Sequence, residues 1–181
     1  IAKLVEEGKI RYAGVSNFSV AQIKRVQAIH PVASLQPPYH MLERKVEQEL
    51  LAYCAANGIG VVAYSPMASG LLTGKYTAEK IAALPDDDWR KRAGRFKEPE
   101  LSANLALLDK LRPIAERNGR TLGQLAVAWV LRRPEVTSAI VGARAPRQIE
   151  EIVPAGDWTL TTAEVAEIEQ YLTERAQALA S

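Results

Sequence analysis

The chain has 181 residues, 48% hydrophobic and 24% charged, with a formal net charge of +2, which suits one domain around one substantial core and excludes a dense basic face for nucleic acid. No apolar run nears the roughly 20 residues of a membrane-spanning helix, and the amino terminus carries no signal-peptide pattern. A single cysteine, Cys54, at an apolar helical position fits a reducing compartment, so a soluble, cytoplasmic protein is expected, with neither membrane nor nucleic acid as partner.

In chain order, the sequence opens without methionine and inside an apolar-periodic helix that Gly8 would end, so it reads as the back part of something longer. Residues 11–16 (RYAGVS) read as a short buried strand. Ser19 with Gln22 makes a capping box for a helix ending near His30 and Pro31. Residues 33–36 form the next strand, followed by a helix over about 46–57 that Gly58 closes in a left-handed conformation. Residues 59–64 form the third strand, in which Val61, Val62 and Ala63 read as buried on both faces.

The segment 65–101 is too long for a routine connection, and its charged stretch DDDWRKRAGRFKEPE reads as a functional or mobile loop, with Asp86, Asp87 and Asp88 a solvated run. Two helices follow, over about 102–118 and 122–133. The second opens with the capping box Thr121 and Gln124 and stops at Pro134. Residues 137–141 form the fourth strand, residues 146–152 a helix with proline in its first turn, and a last helix starts at Thr161 with Glu164 as capping partner.

Strands alternating with helices imply an α/β fold with a parallel sheet. Four such units are half of a (β/α)8 TIM barrel, which takes about 250 residues; a four-stranded flavodoxin-like sheet is the alternative. Two short patterns carry no function. Gly58, Gly60 and Ala63 match a dinucleotide fingerprint but lie before and inside a strand rather than after one, and the run from Gly70 to Lys75 is one residue short of a P-loop. His30 and His40 lack partners at metal-ligand spacing, so no metal is expected.

What remains is positional. At the carboxyl ends of the four strands stand Ser16 with Asn17, Gln36, Tyr64 with Ser65, and Gly142 with Arg144, at the end of a parallel sheet where ligands bind. Asn and Gln both donate and accept, as a carboxamide requires, and a tyrosine ring can stack on a flat heterocycle. These are the needs of a nicotinamide, although Asn17 or Gln36 alone would also serve as a turn former. Ala68, Ser69 and Gly70 would let a pyrophosphate approach the backbone near Lys75, and Arg144 sits just before a helix amino terminus. Each cation taken alone is also an ordinary surface charge.

The segments GVSNF (14–18), LQPPYHMLER (35–44), AYSPMASGLLTGKY (63–76) and IVGARAPRQIEE (140–151), in this order and spacing, resemble the aldo-keto reductase family over essentially the whole chain. The resemblance implies a (β/α)8 barrel, here only its carboxyl-terminal half, that binds NADP(H) and reduces aldehydes or ketones to alcohols, with a small-molecule carbonyl substrate. By position it implies Ser16, Asn17 and Gln36 on the nicotinamide carboxamide and Tyr64 stacked on the ring. Ser65, Pro66, Met67, Ala68, Ser69 and Gly70 with Lys75 would line the pyrophosphate. Gly142, Arg144 and Gln148 would surround the 2′-phosphate, Glu151 would face the adenine, and Arg90, rivalled by Arg92 and Arg95, would fold over the cofactor.

Two departures stand out. Ile152 occupies a position that is often asparagine in the family, and the family's catalytic Asp, Tyr, Lys and His belong to the first half of the barrel, so no catalytic residue transfers. Tyr39 and His40 read as structural. The chain is thus expected to bind cofactor and to be inactive alone. A cofactor-sensing regulatory subunit, resembling channel β subunits, is a second reading. A structural half barrel that binds nothing and pairs through open apolar sheet edges is a third.

Overall fold

The computed structural model describes residues 1–180. Its elements run α1 (Ala2–Glu6), β1 (Gly14–Ser16), α2 (Val20–Gln27), β2 (Ser34–Gln36), α3 (Leu50–Ala56), β3 (Gly60–Tyr64), α4 (Ala78–Ala82), α5 (Glu100–Arg117), α6 (Leu122–Leu131), β4 (Val136–Ile140), α7 (Pro146–Ile152) and α8 (Thr162–Ala180). The strands form one sheet in the order β1-β2-β3-β4, every pair parallel. Parallel neighbours cannot be joined by a tight turn, so each pair is linked by a crossover containing helix. The α/β class expected from the alternation is what the chain forms.

Three strands differ from expectation. β1 is only three residues long, and Gly14 and Ser16 are exposed with Val15 half-buried, so it is not a buried strand. In β3, Val61 and Ala63 are fully buried while Gly60, Val62 and Tyr64 are half-buried. An apolar run implies two covered faces only where packing covers both; here one face is covered, and the run VVA conceals the alternation. β4 is likewise mixed rather than apolar, with Thr137, Ser138 and Ile140 exposed.

Local signals held. The backbone N–H of Ser19 donates to Gln22 Oε1 at 2.8 Å and that of Gln22 to Ser19 Oγ at 3.3 Å. Thr121 and Gln124 repeat the arrangement at 2.9 and 3.2 Å, and Thr161 and Glu164 at 2.8 and 3.2 Å. Each box satisfies two backbone donors that a helix start leaves unpaired. Gly58, at φ 63°, ends α3 as expected. The helix expected over 46–57 is broken, however: Lys45–Glu47 is a 3-10 turn, and Glu49 at φ −143° separates it from α3.

The chain divides into two compact units. The first, Ile1–Pro66 with Val130–Arg144, holds all four strands. Its core includes Ile23, Leu35, Leu51, Cys54, Val61 and Ala63; burial pushes the Cys54 thiol up, as suits a core residue.

The second unit, Met67–Trp129 with residues 145–180, is built on α5 against α8. Leu107, Leu111 and Ile114 on α5 and Ile168 and Leu172 on α8 are buried there. Arg117 meets Glu167 at 2.6 Å, and Arg175 Nε donates to the fully buried Asn104 at 2.6 Å. The long segment after β3 is not an irregular loop. It folds into 3-10 turns at Ala68–Thr73, Trp89–Lys91 and Gly94–Phe96 and the short α4, with Thr77 and Asp88 as side-chain caps. Asp88 is correspondingly not part of a solvated run: its carboxylate is mostly covered and pairs with Arg90. Among the described residues no helix is long and apolar enough to cross a membrane.

Candidate functional site

In the first unit the ends of β1, β2 and β3 bring Ser16, Asn17, Gln36 and Tyr64 together. Ser16 is the register partner of Gln36, and its hydroxyl donates to the Gln36 carbonyl oxygen at 2.8 Å. The same carbonyl accepts the Asn17 N–H at 3.1 Å. Tyr64 is held through both backbone groups, its N–H donating to Pro37 O at 2.9 Å and its carbonyl accepting the Tyr39 N–H at 3.2 Å. Its hydroxyl donates to Asn17 Oδ1 at 3.1 Å. The side chains of Ser16, Asn17 and Gln36 are exposed and the Tyr64 ring is half-buried, so amide, hydroxyl and aromatic groups lie together within reach of a ligand. Ser65 follows, half-buried, and Pro66 is buried. Gly142 and Arg144 lie exposed in the coil after β4.

The backbone marks the same residues. Among the described residues, the non-glycine residues at positive φ are Asn17 (60°), Ser65 (58°), Ala68 (49°) and Ser69 (62°), every one a residue that the sequence singles out. A left-handed conformation away from glycine is uncommon, and such strain gathers at ligand sites where the surrounding fold enforces it.

In the second unit, Ala68, Ser69 and Gly70 are successively left-handed, anchored by the buried Ala68, Leu71 and Leu72. The Gly70 and Leu72 N–H groups donate to Met67 O at 3.0 and 3.1 Å, and the Thr73 hydroxyl donates to Gly70 O at 2.6 Å. Only glycine suits position 70, since a Cβ there would lie 3.3 Å from the Tyr76 ring in addition to the cost of φ 91°. The structure brings Lys75 and Glu151 together as an ion pair at 3.2 Å. Gln124 Nε2 donates to Glu151 O at 2.6 Å, while Ile152 turns toward Gly123, in the same neighbourhood as Met67 and Thr73. Gln148 is exposed on α7.

Arg90 is committed within its own segment. It pairs with Asp88, donates to the Tyr76 hydroxyl and lies 5.5 Å from the Tyr76 ring centroid. Asp88 is held down at about 2, chiefly by its hydrogen bonds from Arg90. Tyr76 and Trp89 both meet Phe96 edge-on, at 5.7 and 6.1 Å. Among the described residues no group of three or more His, Cys, Asp or Glu is placed to hold a metal.

One cluster is absent from the sequence reading. Tyr39 is fully buried, and its hydroxyl donates to the Glu47 carboxylate and accepts from Arg132 at 3.0 Å. Arg132 also meets Glu47 at 3.2 Å and Arg44 meets it at 2.7 Å. Burial and then the hydrogen bond to Glu47 hold the Tyr39 hydroxyl well above the ordinary phenol range. Burial would also push Glu47 up, but hydrogen bonds from Arg44 and Tyr39 and the two arginine charges outweigh it and hold it below the ordinary carboxylate range. The spacing of Arg44 and Glu47 at i, i+3 is a sequence signal for one of these contacts. Arg132, 85 residues from Glu47, gives none.

Comparison with known proteins gives the family. A profile of the aldo/keto reductase family matches residues 1–173. The chain is 36% identical over 171 residues to aldo-keto reductase YhdN of Bacillus subtilis (strain 168), covering 94% of this chain and 51% of that protein. It is 36% identical over 186 residues to L-glyceraldehyde 3-phosphate reductase of Escherichia coli O157:H7, covering 96% and 53%. Among solved structures it is similar to the glycerol dehydrogenase of Gluconobacter oxydans, with a TM-score of 0.89 at 35% identity, over 96% of this chain and 52% of that one. The chain therefore spans about half the length of these relatives, and it belongs to the aldo/keto reductase family.

Proposed function

We propose that this chain supplies the cofactor-binding part of an NADPH-dependent reductase of aldehydes or ketones, folded as the second half of a (β/α)8 barrel. The observation that carries the reading is the cluster of Ser16, Asn17, Gln36 and Tyr64 at the carboxyl ends of three parallel strands, two of its positions bordered by left-handed backbone. A nicotinamide needs a flat face for its ring and partners that donate and accept for its carboxamide. The Tyr64 ring offers the first, and the Asn17 and Gln36 amides with the Ser16 hydroxyl offer the second.

The second unit, by its own residues, suits phosphate and adenine: small residues with left-handed backbone from Ala68 to Gly70, and Lys75 beside Glu151. In the first unit, Gly142 and Arg144 are assigned the 2′-phosphate. When bound, NADPH supplies a hydride to the carbonyl carbon. The chain's residues hold and orient; Tyr64 fixes one face of the ring so that the other meets the substrate. Tyr39, fully buried with its hydroxyl bonded to Glu47 and Arg132, is not assigned the proton that the carbonyl oxygen takes.

A fluorescence titration comparing NADPH with NADH tests the reading. The expected outcome is tighter binding of NADPH, with Arg144→Ala bringing the two within about twofold of each other by removing one phosphate-directed cation. An unchanged preference in that variant would count against the assignment.

A further inference from the structure

We propose that Tyr39, Glu47 and Arg132 act as positioning residues for Tyr64, fixing from the protein interior the angle at which its ring meets the nicotinamide. The inference rests on the reading of Tyr64 given above. The connection is continuous in the first unit. Tyr64 is bracketed by Pro37 and Tyr39: its N–H donates to Pro37 O at 2.9 Å, and the Tyr39 N–H donates to its carbonyl at 3.2 Å. This pairing lies beyond the end of β2, which stops at Gln36, and it carries the chain after β2 alongside β3 as far as Tyr64 through the parallel bridge of Pro38 with Tyr64. Two prolines in a row leave this stretch few donors of its own, and the N–H that follows them, that of Tyr39, donates to the Tyr64 carbonyl.

What holds Tyr39 in place is its other end. The ring is fully buried and the hydroxyl sits between Glu47 and Arg132. Arg44 and Arg132 both meet the Glu47 carboxylate, at 2.7 and 3.2 Å, which gives the phenol a fixed acceptor. A buried, fully partnered polar group specifies one side-chain position more sharply than apolar packing does. On the far side of Tyr64, its hydroxyl reaches Asn17 Oδ1 at 3.1 Å, and Asn17 is itself tied to Gln36 O. Loosening Glu47 would thus shift the Tyr39 backbone, then Tyr64, then the Tyr64–Asn17 contact.

The test is a double-mutant cycle on NADPH affinity, in the protein at its natural length, with Glu47→Gln and Tyr64→Ala. Glu47→Gln keeps the shape of the side chain and removes its charge. The expected result is an NADPH Kd raised about fivefold by Glu47→Gln alone and less than about twofold by the same change in a Tyr64→Ala background. A Glu47→Gln effect of equal size in both backgrounds would show a merely structural role and overturn the proposal. So would no effect of Glu47→Gln where Tyr64→Ala weakens binding. If Tyr64→Ala itself leaves the NADPH Kd unchanged, the cofactor reading fails and the positioning role fails with it. Should Glu47→Gln not fold, as judged by its thermal transition, Tyr39→Phe takes its place in the cycle with the same expected pattern, since it removes only the hydroxyl.

Discussion

The two candidate clusters are held in place by different physics. At the strand ends of the first unit, Tyr64 and Asn17 are fixed by backbone hydrogen bonds and by a neutral side-chain bond, with a buried network behind them. In the second unit, Lys75 and Glu151 form an exposed ion pair, the lysine side chain 66% accessible. The difference matches what each would recognise. A ring that must present one carbon to a substrate needs a fixed angle, where small misplacements are costly. A phosphate is recognised by charge, over a longer range and with tolerance for movement, at the expense of sensitivity to salt. Damage to the first cluster should therefore appear in stability and geometry, and damage to the second in salt-dependent affinity.

The largest expected effect is on the buried network. Glu47→Ala removes the carboxylate shared by Tyr39, Arg44 and Arg132 and should cost about 2–4 kcal/mol in denaturant unfolding, because breaking a buried pair leaves charge behind. The same network sets two pH limits. The Glu47 pKa is lowered from 4.5 in the folded state, so its contribution is present at neutral pH and lost as pH falls below 4.5. The Tyr39 pKa is raised above 10.0, so its contribution is lost as pH rises past 10.0. Stability profiles should show Glu47→Gln flattening the acid limb and Tyr39→Phe the alkaline limb; limbs unchanged in both variants would break the comparison.

The smallest stability effect belongs to the exposed pair. Lys75→Ala should change unfolding free energy by no more than about 0.5 kcal/mol, since surface ion pairs contribute little. It should still weaken NADPH binding at low salt, by an amount that shrinks as ionic strength rises. A large loss of stability, or a loss of affinity indifferent to salt, would erase the distinction between the clusters.

Much of what depends on neighbours in the chain was legible beforehand. The three capping boxes, the left-handed Gly58 and the bounds of α7 after Pro146 all follow from residues within three or four positions of one another. The candidate strand-end residues were legible because parallel α/β sheets place ligands at one end. Three features were not. The break between Lys45–Glu47 and α3 lies where Glu47 is drawn to Tyr39 and Arg132, far away in sequence. The covered face of β3 depends on what packs against it, which VVA does not encode. The turns between β3 and α5 are organised by Asp88 and by the aromatic contacts of Phe96, in a stretch whose charge reads as loop.

The central claim is that the Tyr64 ring meets a nicotinamide. Its most direct test is the Kd for NADPH of the unaltered protein against Tyr64→Ala and Tyr64→Phe, with the folded state of each checked by its thermal transition. The account predicts an affinity about tenfold weaker in the alanine variant, on the order of 1.4 kcal/mol of stacking. It predicts a much smaller change in the phenylalanine variant, which keeps the ring and loses only the contact with Asn17. Equal affinity in all three proteins would contradict it.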